Sequence, residues 1–138
     1  MVGVLLVAHS DFGEGLLRAA EGILGTQERC VPVSVSHTKS MQSIIEEIES
    51  AVKTVDNGDG VIILTDMFGG TPSNLSLSLL GTTRVEVITG ANMPMLLKIL
   101  GSRHIPLSEI AAEAKSAGRQ GIVVAGEVLK RKIGSKKK

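Results

Sequence analysis

Apolar positions along this 138-residue chain fall into two kinds of run. The first kind is short and continuous: "VGVLLVA" (2–8), "CVPVSV" (30–35), "VIILTD" (61–66), "RVEVITG" (84–90) and "IVVAGEVL" (122–129). Blocks of this length and β-branched content predict strands. Their near-continuous apolarity predicts a parallel sheet covered on both faces. Pro32 has no N–H to give a ladder, so the second strand is expected at a sheet edge.

The second kind of run is spaced at helical period. In "GEGLLRAAEGILG", Leu16, Leu17, Ala20, Ile23 and Leu24 share a face, and Gly25 marks a stop. In "SMQSIIEEIESAVKTV", Met41, Ile44, Ile45, Ile48, Val52 and Val55 form a stripe, with Glu46, Glu47, Glu49 and Lys53 toward water and Ser40 as N-cap. "DNGDG" (56–60) reads as a turn, and "PMLLKIL" (94–100) and "LSEIAAEAKSAG" (107–118) read as helices. "NLSLSLL" (74–80) alternates like a strand, yet "GGTPSN" before it offers Thr71 as N-cap and Pro72 as first helical residue. A parallel sheet also needs a crossover there, which favours helix. The alternation of strand and helix predicts an α/β fold with a mostly parallel sheet. It occupies one domain, residues 1–129, followed by a basic tail, "KRKIGSKKK" (130–138), expected to be solvated and frayed.

Composition narrows the possible functions. With 43% apolar and 21% charged residues the chain reads as globular and soluble. Phe12 and Phe68 are the only aromatics, so the core is aliphatic and base or flavin stacking has no platform. A net charge of +1 gives no field to attract nucleic acid or other polyanions. Cys30 is the single cysteine and reads as a buried thiol. His9, His37 and His104 lack metal-ligand spacing, so no metal is expected; His37 and His104 read as loop residues. Met93 and Met95 read as core residues beside Pro94. No apolar run approaches the ~20 residues of a membrane span, and the N-terminus lacks a secretory pattern, which reads as cytoplasmic.

In an open α/β sheet, chemistry gathers at the carboxyl ends of the strands. There the first strand delivers His9, the third Asp66, and the fourth "TGANMP" (89–94). If the first and third strands are neighbours, Asp66 can hold one ring nitrogen of His9, fix its tautomer and free the other nitrogen for attack. "TDMFGGTPSN" adds Gly69 and Gly70, which let the backbone bend, the Thr71 hydroxyl, and a helix start with inward amides. An imidazole beside an anion cradle suits phosphoryl transfer. The residues alone leave a plainer pair of readings open: a surface histidine, and a Gly-Gly-Thr-Pro turn that merely opens a helix.

"VAHSDFGEGL", "LTDMFGGTPSN" and "TGANMPML" resemble, in order and spacing, the motifs of the IIA component of the mannose-type bacterial sugar phosphotransferase system. The likeness spans residues 2 to 128. It implies a flavodoxin-like three-layer sandwich with strand order 2-1-3-4 and a last antiparallel strand exchanged between the subunits of a homodimer. It implies that His9 is phosphorylated by HPr and passes the group to a histidine of a IIB component, with Asp66 as its orienting carboxylate. Gly69, Gly70 and Thr71 match the family's phosphate-side loop, and Ser73 and Asn74 continue the motif. Phe12 and Phe68 flank the site, as a rim for the docking protein or as core. No cofactor is implied, and association with the membrane permease components is indirect. Many family members continue into a IIB domain, whereas this sequence ends after "KKK", as a stand-alone subunit or part of an incomplete, regulatory system. Two other functions compete: a phosphotransfer subunit for a dihydroxyacetone kinase, and a non-catalytic module binding a phosphorylated metabolite.

Overall fold

Successive side chains of the first strand, β1 (Gly3–His9), point to opposite sides, and both sides are buried. Val4 and Leu6 enter one apolar cluster, Leu5 and Val7 a second. The computed structural model describes residues 1–81 and 84–136. With β2 (Cys30–Val35), β3 (Val61–Thr65) and β4 (Val85–Thr89), β1 forms a four-stranded sheet of order β2-β1-β3-β4, parallel throughout. Pro32 therefore lies on an edge strand, as expected. His9 pairs with Val35, and Val7 with Thr65, so the ends of β1, β2 and β3 lie side by side.

The helices are α1 (Phe12–Leu24), α2 (Met41–Val55), α3 (Thr71–Leu77), α4 (Met93–Leu100), α5 (Leu107–Gln120) and α6 (Ala125–Lys136). Leu17 and Ala20 of α1, Leu96 and Ile99 of α4, and Ile110 and Ala114 of α5 join the cluster of Val4 and Leu6. Ile44, Ile48, Val52 and Val55 of α2 and Leu75 of α3 join the cluster of Leu5 and Val7. The result is a flavodoxin-like three-layer α/β sandwich whose central strands are buried posts. Ser40 caps α2 as read from the sequence, its hydroxyl accepting from Ser43 N at 3.1 Å. Met95 is buried and Met93 packs against the same cluster.

Several expectations need correction. Residues 122–129 form no strand: 122–124 are irregular, and α6 starts at Ala125. The edge of β4 stands open to such a strand, but the chain from Ala125 onward satisfies its backbone within a helix instead. The helix also carries through positions 130–136, so that part of the tail is regular; 137–138 lie outside the described residues. Thr71 is not the cap of α3: Gly70 holds that position with no side-chain bond, and Thr71 and Pro72 are the first helical residues. The helix stops at Leu77, before the end of the segment read as helical. Ile23, Leu24 and Met41 are exposed, because each lies at the rim of its helix stripe, past the reach of the sheet.

At the amino ends of the strands sits a buried charge that the sequence pattern did not show. Arg103 is 5% exposed. Its Nε donates to Val2 O at 2.9 Å and Nη2 to Arg29 O at 2.8 Å, while Nη1 donates to Glu28 O. The five-donor fork of a guanidinium suits this task, since it spans carbonyls of two separate segments at once.

Candidate active site

His9 closes β1, and Asp66 follows β3 directly. Because β1 and β3 are parallel neighbours, two residues 57 positions apart meet at the same end of the sheet. His9 Nδ1 lies 2.7 Å from Asp66 Oδ2, and the His9 main-chain N–H donates to that same oxygen at 3.0 Å. Burial pushes the Asp66 carboxyl up, but the His9 backbone bond, ring bond and ring charge together hold it below its ordinary value. Asp66 is thus ionised at neutral pH and only accepts hydrogen bonds, so Nδ1 carries the ring proton. In the neutral ring the lone pair is then on Nε2. The His9 side chain is 45% exposed and that of Asp66 14%, which presents the ring and shelters its partner.

The loop from Asp66 to Gly70 wraps the ring. A Cβ built on Gly70 would stand 3.1 Å from His9 Cε1 and 3.7 Å from Nε2, so glycine leaves room for the imidazole edge. Gly69 has φ +89°, which turns the chain into α3. Asn74 N donates to Gly70 O at 3.0 Å, the first bond of the helix. The first-turn amides before it have no intrahelical acceptor, and Pro72 has no N–H to offer.

The other residues singled out by sequence divide clearly. Thr71 is exposed at the start of α3. Ser73 is fully buried with an unpartnered hydroxyl, so that hydroxyl does not reach the surface where Nε2 lies. Phe12 and Phe68 are 44% and 74% exposed, which removes the core reading for both. Met67, missed in the sequence, is exposed between Asp66 and Phe68, and its Cγ lies against the space beside Gly70. Its position in a strand-end loop, where no layer can cover it, was the available signal. The segment "TGANMP" serves structure: Gly90 N and Ala91 N both donate to Thr65 O, and Asn92 caps α4 while donating to Gly118 O. His37 and His104 are exposed loop residues. Burial pushes the Cys30 thiol up to about 12, which leaves it an inert core group. Among the described residues no cluster of three or more His, Cys, Asp or Glu side chains could hold a metal, and no helix is long and apolar enough to cross a membrane.

The geometry defines a protein built around one oriented, surface-presented imidazole. Residues 3–115 match the family model described as PTS system fructose IIA component. The chain belongs to this family, the mannose-type IIA components of the sugar phosphotransferase system, and has a phosphotransfer role in such a system. It is 29% identical over 133 residues to the PTS system fructose-specific EIIA component of Bacillus subtilis, covering 95% of this chain and 91% of that protein. It is 32% identical over 124 residues to the PTS system mannose-specific EIIAB component of Escherichia coli, covering 88% of this chain but 38% of that longer protein. The crystal structure of phosphotransferase system component EIIA from Streptococcus agalactiae superposes with a TM-score of 0.84 at 26% identity, over 92% of this chain and 99% of that one.

Proposed function

We propose that this chain is a phosphohistidine carrier, with His9 as the phosphorylated residue, HPr as donor and a IIB component as acceptor. The observation that carries the reading is the 2.7 Å contact of His9 Nδ1 with Asp66, which leaves Nε2 as the nucleophilic atom on an exposed ring. The Nε2 lone pair attacks the phosphorus of the donor's phosphohistidine. The donor N–P bond breaks, and its electron pair returns to the donor ring. Nδ1 keeps its proton, and Asp66 balances the positive charge that develops on the His9 imidazole. The second transfer runs the same step toward the acceptor's histidine.

The phosphoryl oxygens fit the open space beside Gly69, with the exposed Thr71 supplying its hydroxyl and its amide. Ser73 is buried throughout and is left out of this role. Phe12, Met67 and Phe68 supply an apolar rim on which a carrier protein docks while the two rings approach. A donor of this kind places the chain in the cytoplasm, and sugar choice then lies with membrane permease components outside it. The exposed run Ile122, Val123 and Val124 supports a homodimer in which a second copy covers this segment.

The test is intact-mass spectrometry of wild type and His9→Ala after incubation with phosphoenolpyruvate, enzyme I and HPr. A gain of one phosphoryl group in wild type, absent from the variant, is the expected result. No gain in wild type, with HPr shown to be phosphorylated, overturns the carrier reading and favours a module that binds a phosphorylated metabolite.

A further inference from the structure

The turn that presents His9 is strained, and a hydroxyl from a neighbouring strand holds it. β1 ends at His9 and α1 begins at Phe12, so Ser10 and Asp11 alone redirect the chain from strand to helix. Ser10 does this in the left-handed region, with φ 52°. A residue with a Cβ pays a steric cost there and keeps the conformation only where its surroundings enforce it. The enforcing groups are on β2. Ser10 N donates to Val35 O at 3.1 Å, and Ser34 Oγ donates to Ser10 O at 2.6 Å. The Asp11 side chain makes no capping bond to α1, so it gives the turn no such support. The helix cannot retreat to relax it either, since a Cβ on Gly13 would stand 3.1 Å from Leu6 O, and the first turn of α1 is seated on β1.

This matters for the ring because one oxygen, Asp66 Oδ2, accepts both the His9 main-chain N–H and Nδ1. A rotation of the backbone at the His9–Ser10 junction would disturb that double contact. We propose that Ser34 is a positioning residue for His9: its bond to the Ser10 carbonyl holds the left-handed turn that keeps the imidazole in register with Asp66 and Nε2 outward. The proposal rests on the phosphohistidine reading for its functional consequence, but the ring geometry it concerns exists in the unphosphorylated protein.

Two readouts on the full chain test it: the ring-nitrogen NMR signature of His9 before phosphorylation, and the rate of phosphorylation by HPr. Wild type is expected to show the Nδ1–H tautomer. In Ser34→Ala the tautomer preference weakens, and the maximal rate falls about tenfold with the half-saturating HPr concentration unchanged. Ser34→Thr keeps the hydroxyl and restores both readouts. Ser10→Gly removes the steric cost of the turn, so Ser10→Gly/Ser34→Ala recovers most of the lost rate. Wild-type ring signals and rate in Ser34→Ala overturn the proposal, as does a Ser34→Thr variant no better than Ser34→Ala. If wild type takes no phosphoryl group from HPr, the carrier reading fails; the ring signals of wild type and Ser34→Ala still decide the positioning role.

Discussion

The two ends of the sheet are built to opposite purposes. At the amino ends, Val2 N donates to Arg103 O, Gly3 N to Gly60 O and Val4 N to Arg29 O, all within 2.8–2.9 Å. The Arg103 guanidinium answers with its own three bonds to carbonyls. At the carboxyl ends, Asp66 Oδ1 is buried without a partner, and Phe12, Met67 and Phe68 are exposed. Among the described residues each end carries one left-handed residue that is not glycine, Arg29 with φ 50° and Ser10 with φ 52°. The Arg29 carbonyl accepts from both Val4 N and Arg103 Nη2, whereas the Ser10 carbonyl accepts from the Ser34 hydroxyl. One end is thus closed by a buried cation, and the other is left open around the His9 ring. The proposed carrier role would use this division, since a nucleophile that met two proteins in turn would need a scaffold that stays still.

The comparison can be broken at either end. Arg103→Ala removes the three guanidinium bonds to the Val2, Glu28 and Arg29 carbonyls, the first of them buried, and the expected loss of unfolding free energy is about 3 kcal/mol. Phosphorylation of the folded fraction should be unchanged, which denaturant titration and mass spectrometry on the same sample would show. A collapse of transfer with little loss of stability would mean the two ends are coupled rather than separate.

Asp66→Asn should do the reverse. Its amide can donate to Nδ1 and favour the proton on Nε2, so the phosphorylation rate is expected to fall about 100-fold, with the fold retained by circular dichroism. A wild-type rate in this variant would remove Asp66 from its assigned role.

A smaller effect sharpens the electrostatics of the open end. The Asp66 carboxyl is held below its ordinary value in the folded chain. Its ionised form therefore adds stability at and above the ordinary carboxylate range, and that contribution is lost as pH falls through the lowered folded value. The stability difference between wild type and Asp66→Asn should drift in favour of the variant as pH is lowered from about 6 to about 3. A difference independent of pH would show that the ionised carboxylate contributes nothing through its contacts with His9.

The amino-acid pattern by itself determined four of its five strand blocks, the α2 stripe with its Ser40 cap, the edge position of the Pro32 strand and the α/β class. These follow from local rules: side-chain period, a missing N–H, a capping hydroxyl. It also put His9 and Asp66 at the ends of buried strands. Their 2.7 Å contact required the adjacency of β1 and β3, a choice among sheet orders that periodicity does not make. Arg103 escaped notice because its partners, the carbonyls of Val2, Glu28 and Arg29, converge only when two segments fold together. Residues 122–129 differ because β-branched content permits a strand without requiring one: although β4 offers an edge, the backbone from Ala125 onward closes its hydrogen bonds within α6. Ser34 is one polar position in an edge strand, and only the parallel register puts its hydroxyl on the Ser10 carbonyl. Local chemistry chose the elements; the pairing of the strands decided which side chains could act on one another.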